Sequence, residues 1–173
     1  MQKKSLVILG GLFSVLSASA QMPVPLLDAG PQGAQARSQL EAILLCKGGT
    51  KLSPKAIEGQ FLAIGLAKGP DGVYLPARAG YKPSLFGDTV VAALVSEGAG
   101  EVKAAVYLAS QSGKRMASKL SVLDVDEQAN TDEASYFKKT GKKTTLLVGA
   151  ASELSVGSAT VKYQSAVACQ VTG

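Results

Sequence analysis

The spacing between apolar residues changes near residue 72, and this change limits the fold more than any other feature of the chain. Between residues 34 and 68, apolar residues recur every three or four positions, which predicts helices. Beyond residue 72 the period falls to two, which predicts strands. Helices that precede antiparallel strands are typical of α+β domains. We therefore predict a single α+β domain over residues 34–173, with an N-terminal helical hairpin packed on one face of a mainly antiparallel sheet.

Two helices are predicted in the first third of the chain. The first covers residues 34–46 and ends at residues 47–49, where a lysine is followed by a glycine cap. Residues 53–54, Ser-Pro, supply an N-cap and a proline at the first helical position of the second helix. We expect that helix to run to about residue 68, because the sequence Gly-Pro-Asp-Gly at residues 69–72 turns the chain.

Strands are predicted over most of the remaining chain. Residues 89–96 are apolar on both faces, and residues 102–108 alternate cleanly after a short turn, so the two segments predict a hairpin. Residues 112–121 favour one short helix, and residues 122–133 favour an acidic loop with a short strand at its start. Three further strands are predicted over residues 134–140, 143–149 and 159–169.

Cys46 and Cys169 are the two cysteines of the chain, and their positions favour a disulfide bond between them. Cys169 lies on the mostly apolar face of the last predicted strand, and Cys46 follows Ile43 by three residues at the end of the first helix. Both side chains can therefore point inward. Two cysteines in an exported chain usually pair. Because the chain has no histidine and only two cysteines, a zinc site of ordinary composition cannot form, and we predict no metal and no cofactor.

Residues 1–20 have the pattern of a secretory signal peptide. Two lysines precede an apolar run over residues 6–16, and Ala-Ser-Ala at residues 18–20 supplies a cleavage site of small residues. We expect a mature chain that begins at Gln21, has no membrane span, and is periplasmic or secreted. Residues 21–33 carry three prolines and two glycines without a period, which predicts a flexible N-terminal arm.

The segment from Ser135 to Thr145 holds the most suggestive group of candidate binding residues. It contains two aromatic residues and four lysines: Tyr136, Phe137, Lys138, Lys139, Lys142 and Lys143. The lysines can surround an anion, with an aromatic ring as a stacking surface. Alternatively, Thr140 and Gly141 form the tip of an ordinary hairpin, whose solvated lysines discourage pairing between sheet edges.

Three aromatic residues, Tyr74, Tyr81 and Phe86, lie in the segment between the second helix and the first long strand. A long ordered loop that carries aromatic side chains is a plausible contact surface for a partner. The alternative interpretation is that these rings pack over the open end of the sheet.

The acidic segment 124–133 invites comparison with a calcium-binding loop. An EF-hand loop that starts at Asp124 would need glycine where Ala129 stands and a bidentate glutamate where Ser135 stands. The pattern therefore fails at its two most restrictive positions, and a solvated loop is favoured.

The residue types present argue against an enzyme. Without histidine, neither a Ser-His-Asp nor a Cys-His arrangement can form. Most of the clustered carboxylates lie in one polar loop. Burial raises the pKa of a carboxyl group, and nothing in the sequence predicts that this loop is buried. The formal net charge is +5, and two of the lysines belong to the predicted signal peptide. The charge that remains is too small to favour nucleic acid as a partner.

These observations lead to two main functional hypotheses, and an enzyme that uses carboxylates alone is the third. The first is an exported, non-enzymatic protein-binding module, such as an inhibitor, an immunity-type protein or an envelope accessory protein, with a protein partner in the envelope or outside the cell. The second is a periplasmic binder of a small anionic or glycan ligand that uses the lysine-rich hairpin.

Overall fold

The computed structural model describes residues 30–47, 52–122, 124–125 and 136–173. Four predicted features lie wholly or largely outside these residues: the signal peptide, residues 21–29 of the arm, the glycine cap after residue 47, and most of the acidic segment. The described start of that segment, Asp124–Val125, forms the short strand that the sequence predicted.

The chain forms three helices within the described residues: α1 (Pro31–Leu44), α2 (Pro54–Ala63) and α3 (Gly113–Lys119). Helix α1 begins three residues before the predicted start, so the last residues of the predicted arm are helical. Proline at the first helical position explains this start, because its missing N–H has no partner in a helix there. Ser53 and Ser112 cap α2 and α3, and each accepts a hydrogen bond from a backbone N–H three residues later.

The prediction that α2 extends to residue 68 is wrong. The helix ends at Ala63, and Gly65 takes a φ of +83°, which reverses the chain. Leu66–Lys68 then pairs with Tyr74–Pro76 as a two-stranded ribbon. The short apolar run Leu66-Ala67 fits a strand and a helix equally well, so periodicity alone does not locate this boundary.

Eleven strands are present in the described part of the chain. Their bounds are β1 Leu66–Lys68, β2 Tyr74–Pro76, β3 Ser84–Leu85, β4 Asp88–Gly98, β5 Glu101–Leu108, β6 Asp124–Val125, β7 Tyr136–Lys139, β8 Thr144–Gly149, β9 Ser152–Val156, β10 Ala159–Tyr163 and β11 Ser165–Thr172. The predicted hairpin of residues 89–96 and 102–108 is confirmed as β4–β5, which turns at Ala99 and Gly100.

The main sheet has the strand order β1-β2-β4-β5-β11-β8-β7-β6, with β3 paired to β4 beside this path. Every pairing described between these strands is antiparallel. Helices and sheet share one core, in which Leu40, Leu44 and Phe61 are fully buried. The α+β fold class is therefore confirmed.

The predicted strand 159–169 is in fact two strands, β10 and β11, and β9 precedes them without having been predicted. Strands β9 and β10 pair only with each other and pack on the other face of the main sheet around a small second core of Val73, Ala92 and Val156. The rings of Tyr107 and Tyr163 meet there at 4.8 Å. Apolar residues alternate without a break through residue 164, so the sequence does not indicate that the chain leaves the small sheet and enters the main sheet there.

The predicted disulfide joins the two layers. Cys46 follows α1 and is bonded to Cys169 at the centre of β11, with 5.4 Å between their Cα atoms. Cys169 is fully buried, and it pairs across the sheet with Leu146 of β8 and Ala104 of β5. The bond therefore fixes the end of α1 over the middle of the sheet.

Candidate functional site

The lysine-rich segment forms the hairpin β7–β8, but the hairpin separates its lysines. Lys138 pairs across the strands with Leu146, whose side chain belongs to the core, so Lys138 lies on the helix side of the sheet. Lys139 is one residue further and faces the opposite side. Lys142 and Lys143 line a different cavity, beside the end of β11. The four lysines therefore do not surround one point as predicted.

A groove with a volume of about 660 Å³ opens on the helix side of this hairpin. Three segments line it: the end of α1, the end of α3, and the hairpin β7–β8. Its residues are Leu45, Cys46, Lys47, Lys119, Leu120, Lys138, Thr140, Gly141, Thr144 and Leu146. The leucines supply an apolar floor, and one lysine from each of the three segments stands at the border. We call this site the lysine-bordered groove.

Helices α1 and α3 end at the groove for the same local reason. Cys46 has a φ of +56° and Ser121 a φ of +55°, and each residue directly follows the C-cap of its helix. After each helix, two successive N–H groups bond back to the last turn, which is the Schellman motif. The left-handed residue that follows the C-cap is thus a cysteine in α1 and a serine in α3, and the predicted glycine cap after residue 47 lies outside the described residues.

Two of the three bordering lysines have their ammonium groups held by backbone carbonyls. Lys119 donates to the carbonyl oxygen of Phe86, and Lys138 donates to that of Ser121 at 3.3 Å. Each ammonium has three donors and uses one in these bonds. Both lysines therefore keep donors for an anion while their positions are restricted.

The charges at the groove are not balanced within the described part of the chain. Ion pairs seen among the described residues join Lys68 to Glu58 and Lys162 to Glu153, and neither pair involves the groove. The nearest carboxylate of α1, Glu41, accepts the N–H of Phe86 at 2.6 Å. The lysine-bordered groove therefore presents positive charge beside apolar surface.

The three aromatic residues that the sequence singled out as a candidate contact surface all make contacts within the fold. Tyr74 and Phe86 are buried in the core, so the packing alternative is favoured for both. Tyr81 donates from its hydroxyl to the carbonyl oxygen of Ile64 at 3.0 Å, and its ring lies against Gly65 so closely that no Cβ would fit there. Tyr74 and Tyr81 thus hold the connections between α2 and the sheet, because Tyr74 packs against Phe61 of α2 and Tyr81 bonds to Ile64 at its end.

Tyr74 takes part in a polar cluster at the far edge of the sheet. Burial raises the pKa of the Tyr74 hydroxyl, and its hydrogen bond to Glu58 raises it further. The same hydrogen bond lowers the pKa of the Glu58 carboxyl, with a contribution from Lys68 at 3.3 Å. This cluster fastens α2 to β1 and β2.

Asp88 is the buried carboxylate among the described residues, and it has a structural role. It accepts N–H groups from Thr89 at 2.7 Å, Ser110 at 3.2 Å and Gln111 at 2.7 Å. These bonds hold the loop that follows β5 against the start of β4. No group of three potential metal ligands is present in the described residues.

Sequence reasoning missed two of the three groove lysines as binding residues. Lys47 was interpreted only as a cation at a helix end, and Lys119 lay in a short helix of modest propensity. A signal was present, because Lys119 is the last residue of α3 and precedes Leu120, and Lys47 comes two residues after Leu45, the C-cap of α1. The sequence does not show, however, that the two helix ends meet at the same hairpin.

No protein-family model, curated protein or solved structure matched the chain. Over the residues that the structure describes, no helix combines the length and apolar character needed to cross a bilayer.

Proposed function

We propose that this protein is an exported, non-enzymatic binding module that holds an acidic segment of another protein in the lysine-bordered groove. The observation that carries the proposal is the combination of an apolar floor with lysines from three separate segments. An apolar side chain of the partner fills the space above Leu45, Leu120 and Leu146, and neighbouring carboxylates bond to the lysines.

The apolar floor favours a peptide over a small anion. A phosphate or sugar acid would satisfy the lysines but would leave the solvent-exposed parts of Leu45 and Leu120 without an apolar contact from the ligand. Small anions bound through exposed lysines alone gain little, because water and salt screen such contacts. The anionic or glycan ligand therefore remains the second hypothesis.

Export is supported by the leader pattern of residues 1–20 and agrees with the disulfide, since such bonds persist in oxidising compartments. Mass determination of the mature protein tests this part of the proposal. We expect an N-terminus at Gln21 and no free thiol.

The binding proposal is tested by selecting peptides from a random display library on the oxidised protein at low salt. We expect the selected peptides to combine aspartate or glutamate with a leucine, phenylalanine or methionine. The triple variant Lys47→Glu, Lys119→Glu, Lys138→Glu should lose these peptides. The matched control reverses three exposed lysines that lie away from the groove, Lys55, Lys82 and Lys103, and should retain them.

The selection distinguishes the hypotheses. Peptides that bind the groove variant as well as the unaltered protein would refute the proposed site. Calorimetric titration with inorganic phosphate and with oligogalacturonate completes the test. Binding of either compound with no selected acidic peptide would refute the protein-binding proposal and support the small-anion alternative.

A further inference from the structure

A second, polar cavity lies beside the lysine-bordered groove and shares Lys119 with it. Its lining comes from the β3–β4 turn, the loop after β5 and helix α3: Gly87, Gln111, Ser112, Lys114, Arg115 and Ser118. We call it the polar trough. Whereas three leucines line the groove, the trough has no leucine, valine or aromatic side chain in its lining.

The Phe86–Gly87 turn fixes the boundary between the two cavities. Phe86 and Gly87 have φ values of +54° and +68°, and they form the two-residue turn between β3 and β4. The carbonyl oxygen of Phe86 accepts the ammonium of Lys119. The shared cation is therefore held on a rigid turn between the groove and the trough.

Helix α3 concentrates like charge at this boundary. Arg115 and Lys119 are four residues apart, which places them on the same face of the helix, and Lys114 adds a third cation. Like charges at this spacing destabilise a helix. Within the described residues, neither Lys114 nor Arg115 is seen in an ion pair.

Among the described residues, the carboxylates near the trough accept backbone N–H groups and are not seen in ion pairs with its cations. Asp88 lines the adjoining cavity together with Arg115, but it accepts three backbone N–H groups. Glu41 accepts the N–H of Phe86. Gln111 is fixed as well, because its N–H bonds to Asp88 and its side-chain amide lies 3.4 Å from the carbonyl oxygen of Gly87.

We infer that the partner segment continues from the groove into the polar trough, where Lys114, Arg115 and Lys119 bind a run of carboxylates that adjoins the apolar anchor. This inference rests on the proposed function and names the partner more closely: an acidic peptide whose carboxylates extend on one side of a leucine-like residue. The trough, with its hydroxyl and amide groups, suits the polar part of such a segment.

The test uses one peptide from the selection, extended at either end by three glutamates or by three glutamines. We expect the glutamate extension at one end, and not at the other, to tighten binding about tenfold over its glutamine counterpart. In the variant Lys114→Glu, Arg115→Glu, the glutamate-extended peptide should bind no more tightly than the glutamine-extended peptide. The control Lys55→Glu, Lys82→Glu should keep the gain.

The outcomes separate this inference from the proposed function. Equal affinity of glutamate- and glutamine-extended peptides, or a gain that survives in the Lys114/Arg115 variant, refutes the trough while the groove stands. Equal binding of the glutamine-extended peptide to the unaltered protein and to the Lys47/Lys119/Lys138 variant refutes the groove itself. Circular dichroism of each variant confirms that α3 remains folded.

Discussion

The disulfide should contribute a large share of the stability of this domain. Cys46 and Cys169 are separated by 123 positions in the chain. The loop-entropy relation predicts about 5 kcal/mol for a loop of this length, and measured values commonly reach about 2–4 kcal/mol. Small domains have a total stability of about 5–15 kcal/mol. Removing both cysteines should therefore leave a domain that is close to the limit of folding.

The residue placed at position 46 should change the size of this loss. Cys46 has a φ of +56° in its Schellman cap, a conformation that costs a residue with a side chain about 1 kcal/mol or more and that glycine adopts freely. The double variant Cys46→Gly, Cys169→Ala should thus be more stable than Cys46→Ala, Cys169→Ala by about 1 kcal/mol. Both double variants carry the same cavity at position 169, so its cost cancels when their stabilities are compared.

Urea unfolding at 10 °C, followed by circular dichroism, measures both quantities. The unaltered protein should exceed the alanine double variant by about 3–5 kcal/mol. A difference below about 1 kcal/mol would refute the contribution assigned to the cross-link. An alanine variant at least as stable as the glycine variant would show that Cys46 does not hold the left-handed cap position.

Three further predictions concern other contacts in the fold. Asp88→Ala should lower the free energy of unfolding in urea by about 2–4 kcal/mol, because three backbone N–H groups lose a buried carboxylate. Gly113→Ala should cost about 1–3 kcal/mol in the same assay, because its Cβ would lie 2.7 Å from the carbonyl oxygen of Gly149. A loss below about 0.5 kcal/mol in either variant would contradict the contact described. The hydrogen bond from Tyr74 lowers the pKa of Glu58 below 4.5, so its contribution is present above pH 4.5 and is lost as the pH falls through the folded-state pKa. Glu58→Gln should therefore reduce the acid-side loss of stability in unfolding curves from pH 6 to pH 3, and identical curves would contradict this.

The order of elements could be predicted from the sequence because local signals dominate there. The pairing of β4 with β5 follows from two apolar segments joined by a short turn, and the start of α2 follows from Ser53 and Pro54. The disulfide followed from the number of cysteines and their predicted faces. Each of these features depends on residues close together in the chain or on one residue type.

The features that were missed have different causes. The end of α2 has a local signal, Gly65 directly after the C-cap, but the apolar stripe that continues to Leu66 was interpreted as more helix. Strand β10 separates from β11 because β9–β10 packs on the second core, although apolar alternation continues through residue 164. Residues 136–143 looked like one lysine cluster because strand alternation, which separates Lys138 from Lys139, was not applied to the charges.

The disulfide also connects stability to the proposed binding site. Leu146, in the floor of the groove, is the direct cross-strand neighbour of Cys169, and Cys46 in the groove wall is bonded to Cys169. The cross-link therefore sets the distance between that floor and the end of α1, which carries Lys47. Lys119 and Lys138 depend instead on the carbonyl groups of Phe86 and Ser121. Loss of the disulfide should displace Lys47 and leave Lys119 and Lys138 in place. Peptide binding in the groove should therefore weaken more than peptide binding in the polar trough.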